Sequence, residues 1–98
     1  EHPLMQSTIL WSEAIDWVAG EQEIPASGFR CTCRTRYRQD DQDCVIFNDD
    51  SMPGGVRVEF DEPQRAVTPG QSVVFYSGEV CLGGGVIHHT NAPKPDFI

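Results

Sequence analysis

Polar and apolar residues alternate along most of this chain in short runs, and turn-forming residues cut one run from the next. The clearest case is Val56–Phe60, where apolar and polar side chains follow each other with period two, the mark of a half-buried strand. Gln6–Trp11 is a run rich in β-formers. Phe29–Arg38 is the longest candidate strand. It is turned by residues 39–42 and returned by Asp43–Phe47 as a hairpin. Ser72–Tyr76 reads as a buried strand. A tight Ser77-Gly78 turn joins it to residues 79–82, and Val86–His88 reads as the last strand.

Between these runs the breakers are plain: residues 20–28, residues 48–55, Asp61-Glu62-Pro63, and Thr68-Pro69-Gly70-Gln71. Ser12–Val18 fits either a helical turn or a second strand, being too short to decide by period. Gly83, Gly84 and Gly85 suit a bulge or a close backbone approach. The sum is an all-β chain of about six short antiparallel strands, the pattern of a small barrel or sandwich, with a six-stranded antiparallel barrel expected.

Composition narrows the class. The chain has 98 residues, 39% of them hydrophobic and 22% charged, which suits one folded domain with one modest core. No apolar run approaches the ~20 residues a membrane helix needs, and residues 1–5 lack the basic and apolar regions of a signal peptide. The first residue is Glu1, not Met. This suggests a fragment of a longer, cytoplasmic protein, and residues 1–98 are expected to be a single barrel domain with 91–98 as a flexible tail.

The net charge of -8 argues against nucleic acid when taken alone, because phosphates repel an acidic protein. Its distribution reverses that at one place. Residues 1–28 carry no Lys or Arg, whereas four of the seven basic residues, Arg30, Arg34, Arg36 and Arg38, lie close together. On a regular strand they share one face with Thr32, while Phe29, Cys31, Cys33, Thr35 and Tyr37 share the other. Guanidinium planes suit phosphate forks and base stacking. The competing reading is a solvated face neutralised by Asp40, Asp41 and Asp43.

Other chemistry is weakly supported. Cys31, Cys33, Cys44 and Cys81 lack the paired knuckle spacing of a zinc site and read as small core residues in a reducing compartment, although a metal or redox role remains a rival. His88 and His89 are adjacent, and side chains at adjacent strand positions diverge, so a solvent-facing pair is expected rather than a metal site. The three glycines are not followed by the Lys and Ser/Thr of a phosphate-binding loop. No catalytic, metal or cofactor residue is assigned.

Residues 56–76, from Val56-Arg57-Val58-Glu59-Phe60 through Thr68-Pro69-Gly70-Gln71 to Val73-Val74-Phe75-Tyr76, followed by Gly78-Glu79-Val80-Cys81-Leu82-Gly83-Gly84-Gly85, closely resemble the C-terminal end of bacterial tRNA-specific 2-thiouridylases. Arg34-Thr35-Arg36-Tyr37-Arg38-Gln39 resembles that family's Arg-rich strand, and Trp17 stands where the family often has Trp. The resemblance implies a parent enzyme that activates the wobble uridine of tRNA with ATP and transfers sulfur to it from a cysteine persulfide fed by a relay protein. The ATP loop and working cysteines of such an enzyme belong to its upstream domains, so no cofactor is expected here. The barrel's implied task is to hold tRNA through Arg36, Tyr37 and Gln71, with Arg34 and Arg38 beside them. Strict alternation sets Arg36 and Tyr37 on opposite faces, so both reach RNA only if the strand bends or ends near Thr35. The alternative is a barrel that docks onto protein without touching RNA.

Overall fold

A computed structural model describes residues 6–36, 39–65 and 67–92. Its strands are β1 (Gln6–Ser12), β2 (Asp16–Trp17), β3 (Phe29–Arg34), β4 (Gln42–Asn48), β5 (Val56–Arg65), β6 (Ser72–Ser77) and β7 (Val80–Thr90). The sheet runs β1-β5-β4-β3-β6-β7-β2, and a further β1–β7 pairing closes it. The result is the expected six-stranded antiparallel barrel, with β2 as an extra strand.

Alternation decides which side chains fill it. Cys31 and Cys33 from β3, Cys44 and Ile46 from β4, Val56, Val58 and Phe60 from β5, and Val73 and Phe75 from β6 all point inward, with Leu10, Val67 and Ile87 completing the core. Six strands enclose a narrow interior, and small Cys and Val side chains suit it. Cys81 departs from the core reading of the four cysteines, for it is exposed on β7. β6 likewise is half-buried rather than buried: Ser72 is exposed, and Val74 and Tyr76 are only partly covered.

Several boundaries differ from the sequence expectation for identifiable reasons. β3 stops at Arg34, so the longest strand is β7, which passes straight through the glycines that appeared to divide it. β5 continues past Asp61-Glu62-Pro63. Between Ser7↔Gln64 and Ile9↔Glu59 it carries extra residues relative to β1, and Pro63, which has no N–H to donate, sits in that irregularity. The two-residue turn is Gly78-Glu79, with Ser77 paired to Val80.

β7 is the strand on which closure depends. Its first half pairs with β6, and its other edge takes Ser12 and Trp11 of β1 and then Asp16 and Trp17 of β2. Ser12–Val18 is therefore strand broken by a kink, not a helical turn. The kink and β2 lie close over the glycines. A Cβ at Gly83 would stand 2.5 Å from the Asp16 carbonyl oxygen, and one at Gly85 would stand 2.9 Å from Ile15 Cδ1. Ser12 helps hold the seam: its buried hydroxyl accepts the Val56 N–H at 3.0 Å and faces the Val56 carbonyl at 3.4 Å. Asn91, expected to open a frayed tail, is instead bound to β1. Its Oδ1 accepts from the N–H groups of Thr8 and Ile9, each at 3.0 Å, and its Nδ2 donates to Thr8 Oγ1 at 2.7 Å. Residues 93–98 lie outside the described residues.

Two stability outcomes are expected. Gly83→Val should detach β2 from β7 and cost ~1–3 kcal/mol in denaturant unfolding, with faster amide exchange at Val18, whose N–H is bonded to the Leu82 carbonyl. Phe75→Ala removes the largest fully buried side chain and should cost ~3–5 kcal/mol.

Candidate nucleic-acid interface

The end of β3 and the start of β6 lie side by side on the barrel's outer surface. The register Thr32↔Tyr76 and Arg34↔Val74, carried one step further, sets Arg36 across from Ser72. Along this seam runs an open groove of about 900 Å³, lined by Arg34, Thr35, Arg36, Gly70, Gln71, Ser72, Val74 and Tyr76. Of the five residues singled out as RNA contacts, Arg34, Arg36 and Gln71 meet here, although Arg36 and Gln71 are far apart in sequence. Tyr37 and Arg38 lie outside the described residues. Arg30 faces outward on the same strand but is not among the groove's lining residues; it is bound to Asp61 at 2.8 Å.

Each groove residue is placed by identifiable bonds. Thr35 is buried, continuing the inward alternation of Cys31 and Cys33 past the last ladder bond. Its N–H donates to Gln39 Oε1 at 2.7 Å. The Gln39 N–H returns to the Arg36 carbonyl at 3.3 Å, closing a turn directly after Arg36. Gln39 Nε2 donates to Gln64 Oε1 at 3.1 Å, and the buried Gln64 donates through Nε2 to Gln42 Oε1 at 3.0 Å. This glutamine relay ties the arginine segment to β4 and β5. Sequence reasoning missed it, because the partners are distant along the chain and only the fold joins them.

Gln71 is anchored through its backbone. Its carbonyl accepts the Ile87 N–H at 2.7 Å, and the Gly70 N–H donates to the Ile87 carbonyl at 2.9 Å. The side-chain Oε1 caps the turn by accepting the Thr68 N–H at 3.2 Å, which leaves the amide Nε2–H donors available to a ligand. Tyr76 was also missed, since β6 was read as buried. The period-two pattern Ser72, Val74, Tyr76 opposite Val73, Phe75 contained that signal.

The charge of the groove is positive but partly compensated. Arg34 Nε lies 2.6 Å from Asp41 Oδ1, and its guanidinium stands 4.8 Å from the centre of the Tyr76 ring. The hydrogen bond to Asp41 raises the Arg34 pKa further above its already high range, so the group stays cationic. Arg36 is exposed, and no ion-pair partner for it stands among the described residues. The neutralised-face reading thus holds for Arg30 and half-holds for Arg34. Surface pairs of this kind are worth only ~0–1 kcal/mol, so a phosphate can displace the aspartate.

The remaining candidates separate cleanly. Cys31 and Cys44 face each other across the β3–β4 pair with sulfurs 3.8 Å apart. The contact with Cys44, reinforced by burial, pushes the Cys31 thiol up. At Cys44 the Cys31 contact favours the thiolate, but contact with Cys33 and burial outweigh it and push that thiol up too. Neutral, buried thiols are poor nucleophiles and poor metal ligands. No cluster of three or more metal-ligating side chains occurs among the described residues. His88 and His89 do not diverge as expected: their Nδ1 atoms are 2.7 Å apart. The cause is a register shift between β1 and β7, where Trp11↔His89 is followed by Ser12↔Ile87, leaving one extra residue on β7.

Among known proteins, the chain is 80% identical over all 98 residues to a tRNA-specific 2-thiouridylase MnmA of Acinetobacter baumannii, and 78% identical over the same length to the one of Acinetobacter baylyi. It is 64% identical over 89 residues to that of Marinobacter nauticus, covering 91% of this chain and 21% of the relative. The chain spans about a quarter (26%) of the length of the Acinetobacter relatives it matches. The model of one domain family matches residues 7–87, nearly the whole barrel from β1 to Ile87 of β7. The chain belongs to the aminomethyltransferase β-barrel domain family.

Proposed function

We propose that this barrel is the tRNA-holding domain of a tRNA 2-thiouridylase, and that adenylation and sulfur transfer belong to parts of the parent enzyme outside it. The observation that carries this is the convergence of Arg34, Arg36 and Gln71 on one groove beside the Tyr76 ring. Those groups offer a phosphate fork, an exposed cation, an amide donor and an aromatic edge, the set used to grip a folded RNA by its backbone and an unpaired base. The names of the relatives support tRNA as the RNA, and a tRNA substrate is in keeping with a cytoplasmic protein. A relay protein delivering sulfur would meet the parent enzyme rather than this groove. No helix among the described residues is long and apolar enough to cross a membrane.

A second reading has its own support. Val18, in the turn after β2 and bonded to the Leu82 carbonyl, is 73% exposed, Val80 on β7 is 64% exposed, and the net charge is -8. Such a face suits docking against protein, including the rest of the parent chain. RNA binding in the groove responds to salt, whereas apolar docking does not.

Two outcomes test the groove in the full-length protein. Arg36→Ala should weaken tRNA binding roughly tenfold and lower the salt slope by about 1, with ATP affinity unchanged. Unaltered tRNA affinity in this variant would overturn the reading. Gln39→Ala, which releases the Thr35 N–H, should weaken tRNA binding while leaving the salt slope as it was, because it removes no charge.

A further inference from the structure

The His88–His89 pair has no part in the core or the groove, yet it is built with care. Both residues are exposed on β7, and the register shift against β1 turns them to one side with Nδ1 atoms 2.7 Å apart. Only one proton fits between two nitrogens at that distance. One ring must therefore accept at Nδ1 and carry its own proton on Nε2, facing away from the contact. The pair thus always presents at least one outward N–H donor. The Trp11 ring lies on His89 with centres 4.4 Å apart and planes 8° from parallel, so His89 is held flat with its other face uncovered by Trp11.

The pair is continuous with the groove. Ile87, the residue before it, exchanges backbone hydrogen bonds with Gly70 and Gln71, the turn that brings Gln71 into the groove. Gly70 and Gln71 both bond to Ile87, which sets this turn one residue from His88 along β7. Gly70 has φ +92°, which favours glycine, and a Cβ there would meet nothing within 4 Å. No side chain at that position separates the groove from the imidazoles. Trp11, Ser12, Gly70 and Gln71, the residues that adjoin the pair on either side, are all uncharged.

We propose that His88, His89 and Trp11 form a second RNA contact at the rim: an unpaired base stacks on the exposed aromatic cluster in which Trp11 lies flat on His89 and His88 stands edge-on to it at 4.9 Å, and its phosphate accepts the outward imidazole N–H. Stacking on a ring that is already stacked needs little further ordering, and any base has a face to offer. The RNA then runs from Arg36 past Gln71 and over Gly70 to His89. This rests on the groove being the RNA site.

The test is tRNA binding by the full-length protein carrying His88→Ala/His89→Ala, compared with Arg36→Ala and with His89→Phe. The double variant should lose affinity by about fivefold or more. His89→Phe, which keeps a ring over Trp11, should recover most of that loss, which a purely structural role for the imidazoles does not explain. Both side chains are exposed, so the thermal midpoint should hold; if the double variant unfolds early, His89→Phe against His89→Ala carries the comparison. Normal affinity in the histidine variants beside weak binding by Arg36→Ala overturns the rim contact and leaves the groove intact. Normal affinity in all of them overturns both. Weak binding by the histidine variants beside normal affinity in Arg36→Ala removes the groove and, with it, the proposed path of RNA from Arg36 to the rim.

Discussion

β7 is hydrogen-bonded along one edge to β6 and along the other to β1 and β2, and this double pairing turns an edged sheet into a closed barrel. Closure satisfies the strand edges that an open sheet would leave exposed. It also fixes which residues become neighbours. The turn at residues 68–71 is pinned by Ile87 of β7, and the same turn delivers Gln71 to the groove whose other wall is the end of β3. The glycines of β7 serve this pairing directly, because side chains at Gly83 and Gly85 would collide with the chain from Ala14 to Trp17. Groove and rim are therefore consequences of how one strand is shared.

The electrostatic arrangement follows from the same geometry. A protein of net charge -8 has no general attraction for RNA, so the proposed RNA contact must depend on local charge and shape. β3 emerges from the ladder at Arg34, and the buried Thr35 aims the next residue, Arg36, away from the interior. Asp41 sits close enough to hold Arg34 in place without covering Arg36. A compensating carboxylate of this sort lowers self-repulsion between the two arginines before the ligand arrives, and being exposed it is displaced at little cost. Affinity for a polyanion from so few cations is modest, in keeping with the proposed role of holding rather than transforming the substrate.

Much of the barrel was legible in the chain because period-two patterning is a local signal. Val56–Phe60 and the β3–β4 hairpin, with Cys31↔Cys44 at its middle, follow from alternation and turn residues alone. What failed to show were features made by pairing between distant segments. Nothing near Glu62 and Pro63 announces that β5 resumes against β1, since the irregularity exists only relative to Ser7 and Ile9. The close backbone approach expected at the glycines of β7 is there, with Asp16 over Gly83, but the single strand that runs through them had no local signal. The site divides the same way. Arg34 and Arg36 were visible as a cluster, and Gln71 came through the motif around it, but the Gln39–Gln64–Gln42 relay had no local signature. The histidines face solvent as expected, but they do not diverge, because regular alternation fails at the step where β7 carries an extra residue against β1.

The interior and the exterior of this barrel thus do different kinds of work. Inside, the Cys31 thiol is pushed toward the neutral form by its contact with Cys44 and by burial, and the Cys44 thiol by contact with Cys33 and by burial against the opposing effect of Cys31, which suits packing and disfavours sulfur chemistry. Outside, among the described residues, a guanidinium at Arg36, an amide at Gln71 and imidazole edges at His88 and His89 are exposed polar groups at or beside one seam. A ligand that satisfies them together must be long, negatively charged at intervals and studded with flat rings. A folded polypeptide meets the first condition and rarely the other two at once, whereas a single-stranded stretch of RNA meets all three.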